Sequence, residues 1–128
     1  MKNPKSIRHF IRVLALSYPE VVEEFPWGDC AFKIRKKAFL FMGEDPPSLT
    51  FSLKLPSSGE LALGLPFTEP TGYGLGTHGW VTARIDSAGE ISLDMIAAWV
   101  DESYRAIAPK KLIAALDESE SGEKWSDS

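Results

Sequence analysis

The chain contains one arrangement of glycines that matches a phosphate-binding loop letter by letter. Gly74, Gly76 and Gly79 are spaced as in the GxGxxG loop that holds the pyrophosphate of a dinucleotide. That loop functions where it follows a strand and opens a helix, because the helix N-terminus then faces the phosphates. Here the alternation of residues 80–85 predicts that a strand follows the glycines. The sequence therefore predicts a connecting loop, and no dinucleotide site.

Histidine, cysteine and paired carboxylates, which supply most nucleophiles and metal ligands, are sparse. His9 and His78 are the two histidines, so a metal site would need carboxylates for most of its ligands. His9 lies on a basic helical face and is predicted to be solvated. Cys30 alternates with apolar residues and is predicted to be a core thiol. The adjacent Glu23 and Glu24 precede a turn and are typical of a solvated acidic pair. We expect no catalytic residue, no metal and no cofactor.

Positively charged side chains recur at the outward positions of three predicted strands. If these strands share one sheet whose other face is covered by helices, the outward face carries cations, hydroxyls and one indole, without a carboxylate. Such a face suits phosphates and a stacked base. A solvated polar face of an antiparallel sheet produces the same pattern. The candidate nucleic-acid-binding residues, including two at a hairpin tip, are Lys33, Arg35, Lys36, Lys37, Lys54, Trp80 and Arg84.

Charge and composition restrict the class of protein. The 128 residues are 44% hydrophobic, which suits one domain with a core of its own. Residues 117–128 contain five acids against Lys124 alone, so this segment accounts for the whole net charge of −4. It is predicted to be a disordered acidic tail, with residues 1–116 forming the domain. A single cysteine and the charges among the first apolar residues favour a cytoplasmic protein without a membrane segment.

Hydrophobic periodicity predicts an α+β domain of two layers. Alternation at Leu49 to Leu55 and at Val81 to Ile85 indicates half-buried strands. Strands joined by short turns imply a mainly antiparallel sheet with helices on its apolar face. The predicted order is a helix over about 4–18, three strands over about 30–55, a short helix near 60–65, one or two strands ending at 85, and a helix from Ser92 that Pro109 breaks.

Three segments together resemble the MmcQ/YjbR family of small bacterial proteins: EEFPWGD at 23–29 followed by a hairpin, the glycine-rich run and strand at 70–85, and Ser103-Tyr104 on a late helix. The resemblance covers about residues 4–116 and implies the same two-layer order of elements. Members are commonly described as DNA-binding, from the likeness of their fold to a double-wing DNA-binding motif, and no enzyme chemistry comes with them. The family loop carries a basic pair before its histidine, where this chain has Gly76 and Thr77.

The resemblance and the cationic face together lead us to expect a non-enzymatic binding protein with nucleic acid as its partner. Two alternatives use the glycine-rich loop. In one, Tyr73, Trp80 and the sheet edge bind a polypeptide, and in the other a small-ligand pocket is walled by Trp27, Tyr73, His78 and Trp80.

Overall fold

The computed structural model of the protein describes residues 4–25, 30–45, 48–72, 75–85 and 92–126. Within these ranges the predicted α+β class is confirmed. The helices are α1 (Pro4–Leu16), α2 (Gly59–Leu63), α3 (Leu93–Ile107) and α4 (Lys110–Ser126), with a 3₁₀ turn at Leu75–His78. The strands are β1 (Val21–Glu24), β2 (Cys30–Ile34), β3 (Lys37–Asp45), β4 (Ser48–Lys54), β5 (Thr68–Pro70) and β6 (Trp80–Ile85).

All six strands form one antiparallel sheet in the order β1-β2-β3-β4-β6-β5. The register places Leu53 of β4 between Leu40 of β3 and Val81 of β6. These three side chains are buried, as the alternating pattern predicts. The same register puts Ser52 and Thr82 side by side on the opposite face, which we call the outward face.

Helices α1 and α3 cover the apolar face of the sheet. Ile7 and Ile11 of α1 and Tyr104 of α3 are almost fully buried in the same core as the strands. The Tyr104 ring packs 4.6 Å from the Tyr18 ring and edge-on at 5.6 Å from the Phe39 ring, measured between centroids. Its hydroxyl donates to the carbonyl of Pro19. The predicted two layers are therefore confirmed, and Tyr104 joins α3 to the segment after α1.

Ser103 has a structural role at an irregularity of the sheet. The register between β2 and β3 shifts at Phe32 and Lys33, so Phe39 lies in a β-bulge without a regular partner. The hydroxyl of Ser103 donates to the carbonyl of Phe39 at 2.5 Å and accepts from the amide of Lys54 at 2.9 Å. One buried side chain thus satisfies main-chain groups of two strands and attaches α3 to both.

Of the two edge strands, β1 was not predicted, and β5 is the second of the one or two strands expected before residue 85. β1 contains Glu23 and Glu24, where the sequence indicated a solvated acidic pair, and β5 is three residues long and ends in Pro70. Both are short, and they carry acidic residues or proline, which discourages pairing with another chain. Short strands of this composition lack the β-branched alternation that identifies a strand in sequence.

Helix α4 differs from the predicted tail. Pro109 separates α3 from α4 as expected, but α4 then continues to Ser126. Leu112 is buried and Asp117 accepts a hydrogen bond from Arg105 at 2.9 Å, so the first turns are held against the domain. Among the following residues, Glu118, Glu120, Glu123 and Lys124 favour a helix, whereas the serines and Gly122 do not. Among the described residues, no helix has the length and apolarity to cross a membrane.

Candidate nucleic-acid interface

The outward face does not present an exposed indole. Trp80 is only 7% exposed, and its ring packs 5.6 Å from the ring of Phe41, centroid to centroid. Since β4 lies between β3 and β6, these two large side chains meet above the small Ser52. The prediction that Trp80 is an exposed aromatic is therefore wrong. Stacking on a base would require the indole to leave this contact.

Hydroxyl groups on the outward face are bonded to one another. Ser52 Oγ lies 2.7 Å from Thr82 Oγ1, which lies 2.9 Å from Thr71 Oγ1. This chain of three hydroxyls crosses β4 and β6 and continues to the residue after β5. In the described part of the chain, Thr50 Oγ1 is buried and has no hydrogen-bond partner. The hydroxyls of Ser52, Thr71 and Thr82 thus already have acceptors or donors within the protein.

Carboxylates do occupy the outward face, contrary to the sequence prediction. Lys33 forms an ion pair with Glu24 of β1 at 3.0 Å, and Glu69 of β5 pairs in register with Thr82. Both acids lie on the short edge strands. Lys54 on this face is half-buried and Arg84 is exposed. The face therefore carries carboxylates beside its cations.

The β2–β3 hairpin tip has a different character. Ile34 pairs with Lys37, which leaves Arg35 and Lys36 as a two-residue turn with φ of 48° and 74°. Two consecutive positive φ values are typical of a type I′ turn, in which Asn-Gly is strongly preferred. Arg35 was predicted on the strand and lies in this turn instead. Arg35, Lys36 and Lys37 are all exposed.

Glu20 is hydrogen-bonded to Arg35 of this tip and interacts electrostatically with Lys111 in the first turn of α4. Arg35 donates from Nε to Glu20 Oε1 at 3.0 Å and from Nη2 to Glu20 Oε2 at 3.2 Å, so the guanidinium holds the carboxylate with two bonds. The hydrogen bond from Arg35, together with the positive charges of Arg35 and Lys111, lowers the pKa of Glu20. Lys111 therefore lies within electrostatic reach of Glu20. We use the name basic end for Glu20 together with Arg35, Lys36 and Lys37 of the hairpin and Lys110 and Lys111 of the first turn of α4.

Several residues of the basic end are of types that their backbone conformation or their position in a helix disfavours. Glu20, Arg35 and Lys36 are the non-glycine residues with positive φ in the described part of the chain, a conformation that costs about 1–2 kcal/mol per residue. Lys110 and Lys111 stand in the first turn of α4, where the helix dipole disfavours cations. Lys36, Lys37, Lys110 and Lys111 form no ion pair within 4 Å of a described carboxylate. Such violations of local preference are expected where function selects the residues.

The sequence did not identify Glu20, Lys110 or Lys111 as site residues. The signal present was the Lys110-Lys111 pair directly after Pro109, at the start of a helical pattern. Its significance depends on how close α4 comes to Glu20, which no local pattern specifies.

Cys30 is confirmed as a core thiol. It is 1% exposed and donates from Sγ to Glu23 Oε2 at 2.8 Å, while Arg12 pairs with the other oxygen of Glu23 at 3.0 Å. Burial, and then the hydrogen bond and charge of Glu23, raise the pKa of Cys30 to about 12. Since the thiolate is the nucleophile, this arrangement makes the thiol unreactive at neutral pH.

The glycine-rich loop brings together only part of the proposed ligand pocket. Trp27 and Tyr73 lie outside the described residues, His78 is exposed and Trp80 is buried. Gly79 has a φ of 85° and its carbonyl accepts from the amide of Leu55, so glycine is required for this turn into β6. The loop precedes β6, as predicted, and does not open an α-helix of the kind that a dinucleotide needs.

Comparison with known proteins places the chain in a family. The YjbR family model matches residues 16–106, so this protein belongs to the YjbR family. The crystal structure of Deinococcus radiodurans protein DR2400, with the family-model domain DUF419, is 23% identical in sequence to this chain. The match covers 81% of this chain and 77% of the Deinococcus chain, with a TM-score of 0.64. A Pseudomonas syringae protein solved by structural genomics is 15% identical to this chain. The match covers 79% of this chain and 97% of the Pseudomonas chain, with a TM-score of 0.63. Both share the fold with this chain. No curated protein sequence matches it significantly.

Proposed function

We propose that this protein is a non-enzymatic nucleic-acid-binding protein of the cytoplasm, and that its basic end contacts the phosphate backbone. The observation that carries the proposal is the group of four exposed lysines, Lys36, Lys37, Lys110 and Lys111, that form no ion pair with a described carboxylate. Backbone phosphates supply most of the affinity of sequence-independent binding, and lysines are their usual partners.

The geometry supports this surface over the outward face. A type I′ hairpin projects Lys36 and Lys37 beyond the sheet, and α4 presents Lys110 and Lys111 beside the helix N-terminus, which itself attracts anions. On the outward face, Lys33 is paired with Glu24 and Trp80 packs against Phe41. Binding is therefore expected through charge, with little stacking on bases and little preference for sequence.

The resemblance of the sequence to a family commonly described as DNA-binding agrees with the proposal. The thiol of Cys30 is buried and its pKa is raised, so it is a poor nucleophile. The described residues contain no cluster of three or more metal-ligating side chains. The proposal therefore assigns the protein a binding role, and it keeps the expectation of a cytoplasmic bacterial protein.

Fluorescence anisotropy of a labelled DNA duplex across a salt series tests the proposal. If the four lysines each contact one phosphate, the slope of log affinity against log salt should be about −3.6, from roughly −0.9 per contact. The double variant Lys36→Glu/Lys37→Glu should lose affinity by at least about 100-fold at about 50 mM salt, from roughly tenfold per contact.

A double variant of the outward face, Lys54→Glu/Arg84→Glu, provides a control with the same change in charge. We expect it to change affinity much less than the hairpin variant. Equal losses from both variants would indicate a general charge effect, and a larger loss from the control would place the interface on the outward face. Absence of binding by the unmodified protein at low salt would refute the proposal.

A further inference from the structure

Glu20 and Arg35 form an ion pair although both have an unfavourable backbone conformation. The pair contributes too little to the stability of the fold to offset that conformational cost. Both residues have positive φ, 61° and 48°, although neither is a glycine. Both side chains are about half exposed, at 48% and 51%. Exposed ion pairs contribute little to stability because solvent and salt screen them. The ion pair therefore does not offset the backbone cost of positive φ at both residues.

The carboxylate of Glu20 occupies the place that a phosphate would take. Its two oxygens lie 3.0 and 3.2 Å from Nε and Nη2 of Arg35, one oxygen on each donor. A phosphodiester presents two oxygens to the same guanidinium in the same way. Arg35 is thus the cation of the basic end whose geometry is best suited to phosphate, and it is already occupied.

We propose that Glu20 is an internal competitor that masks Arg35, so that a phosphate must displace the carboxylate before Arg35 joins the interface. This inference rests on the proposed binding of nucleic acid at the basic end. It implies that the protein binds with fewer phosphate contacts than its exposed cations would allow. Glu20 thereby keeps sequence-independent affinity low and its dependence on salt shallow.

The test is a comparison of Glu20→Gln with Glu24→Gln by the same anisotropy titration. Each variant removes one carboxylate that pairs with a cation of the β2 region, at 3.0 Å in both cases, and each changes the net charge equally. Glu20→Gln should bind duplex DNA about tenfold more tightly at about 50 mM salt and steepen the salt slope by about 0.9. Glu24→Gln should change the slope by much less.

Arg35 itself supplies a second, independent test. Because Arg35 is masked, Arg35→Gln alone should leave the salt slope of the unmodified protein nearly unchanged, while Glu20→Gln/Arg35→Gln should cancel the gain of Glu20→Gln. The variant Glu20→Asn, which tolerates positive φ better, shows whether any gain depends on strain at this position.

The outcomes separate the inference from the function on which it rests. If Lys36→Glu/Lys37→Glu abolishes binding but Glu20→Gln has no effect, the basic end binds and the masking by Glu20 is refuted. An equal gain from Glu24→Gln would also refute masking, because the effect would then be one of net charge. If neither the unmodified protein nor Glu20→Gln binds, both proposals fail.

Discussion

The basic end and the outward face contain similar residues and differ in how those residues are satisfied. On the outward face, Lys33 has a carboxylate partner, three hydroxyls bond to one another, and Trp80 packs on Phe41. On the basic end, four lysines form no ion pair within 4 Å of a described carboxylate, and Arg35 and Lys36 of the turn have positive φ. The difference teaches that cationic composition alone does not identify an anion site. The informative feature is a charge left unpaired at a local cost.

The largest effect on stability is expected from Trp80 on the outward face, compared with the lysines of the basic end. Trp80→Ala should destabilise the protein by roughly 3–5 kcal/mol, because it removes a buried aromatic side chain and its contact with Phe41. Lys36→Glu/Lys37→Glu should change the free energy of unfolding by no more than roughly 0.5 kcal/mol, because substitutions at exposed positions usually have small effects. Urea denaturation measures both. A loss below experimental error for Trp80→Ala would mean that the outward face is open to ligands.

The next effect concerns Lys110 in the first turn of α4. Lys110→Glu should stabilise the protein by roughly 0.5–1.5 kcal/mol, since an anion replaces a cation near the positive end of the helix dipole. The same variant should weaken DNA binding by about tenfold at low salt. Thermal denaturation and anisotropy on one preparation measure the two changes. If binding is unaffected, α4 does not belong to the interface.

A smaller effect is expected at the strained turn. Lys36→Gly should gain roughly 0.5–1 kcal/mol of stability, because relief of the left-handed conformation exceeds the added flexibility of glycine in the unfolded chain. It should also reduce the magnitude of the salt slope by about 0.9. Lys37→Gly, at a strand position with ordinary φ, is the matched control and should destabilise. Two destabilised variants would show that the turn at Lys36 is not strained.

The smallest effect is expected from truncation after Glu118. The removed residues lie beyond Asp117, whose contact with Arg105 is retained, so the melting temperature should change little. Helix α4 extends to Ser126 and rises about 1.5 Å per residue, so its backbone beyond Glu118 lies progressively farther from its first turn. We therefore expect only a modest gain in DNA affinity from the loss of negative charge. A large drop in melting temperature would show that residues 119–128 pack on the domain.

Much of the fold could be predicted because its signals are local. Alternation identified β4 and β6, and helical spacing identified α1 and α3, since a period of two or 3.6 residues places apolar side chains on one face. β1 was missed, and β5 was left open as a second strand before β6, because four and three residues are too few to show a period. The continuation of α4 into the acidic segment has no comparable local signal, since serines and Gly122 interrupt its helix formers.

The candidate site was less predictable than the fold. The sequence indicated Lys36 and Lys37 at a hairpin tip, and these remain at the centre of the proposal. It also indicated Lys33, Lys54, Trp80 and Arg84, because a strand pattern shows which side chains share a face but not what covers that face. Trp80 was misjudged for this reason, since its partner Phe41 lies two strands away across β4.

The sequence by itself determined the α+β class, the apolar face of the sheet, the core position of Cys30 and the resemblance to the YjbR family, because each depends on residue types at short spacing. Only the tertiary structure decided that Glu20 meets Arg35 across 15 residues, that Lys111 comes within electrostatic reach of Glu20, and that Glu24 pairs with Lys33. Those contacts depend on strand order and helix packing, which bring together groups whose separation in the chain carries no periodic signal.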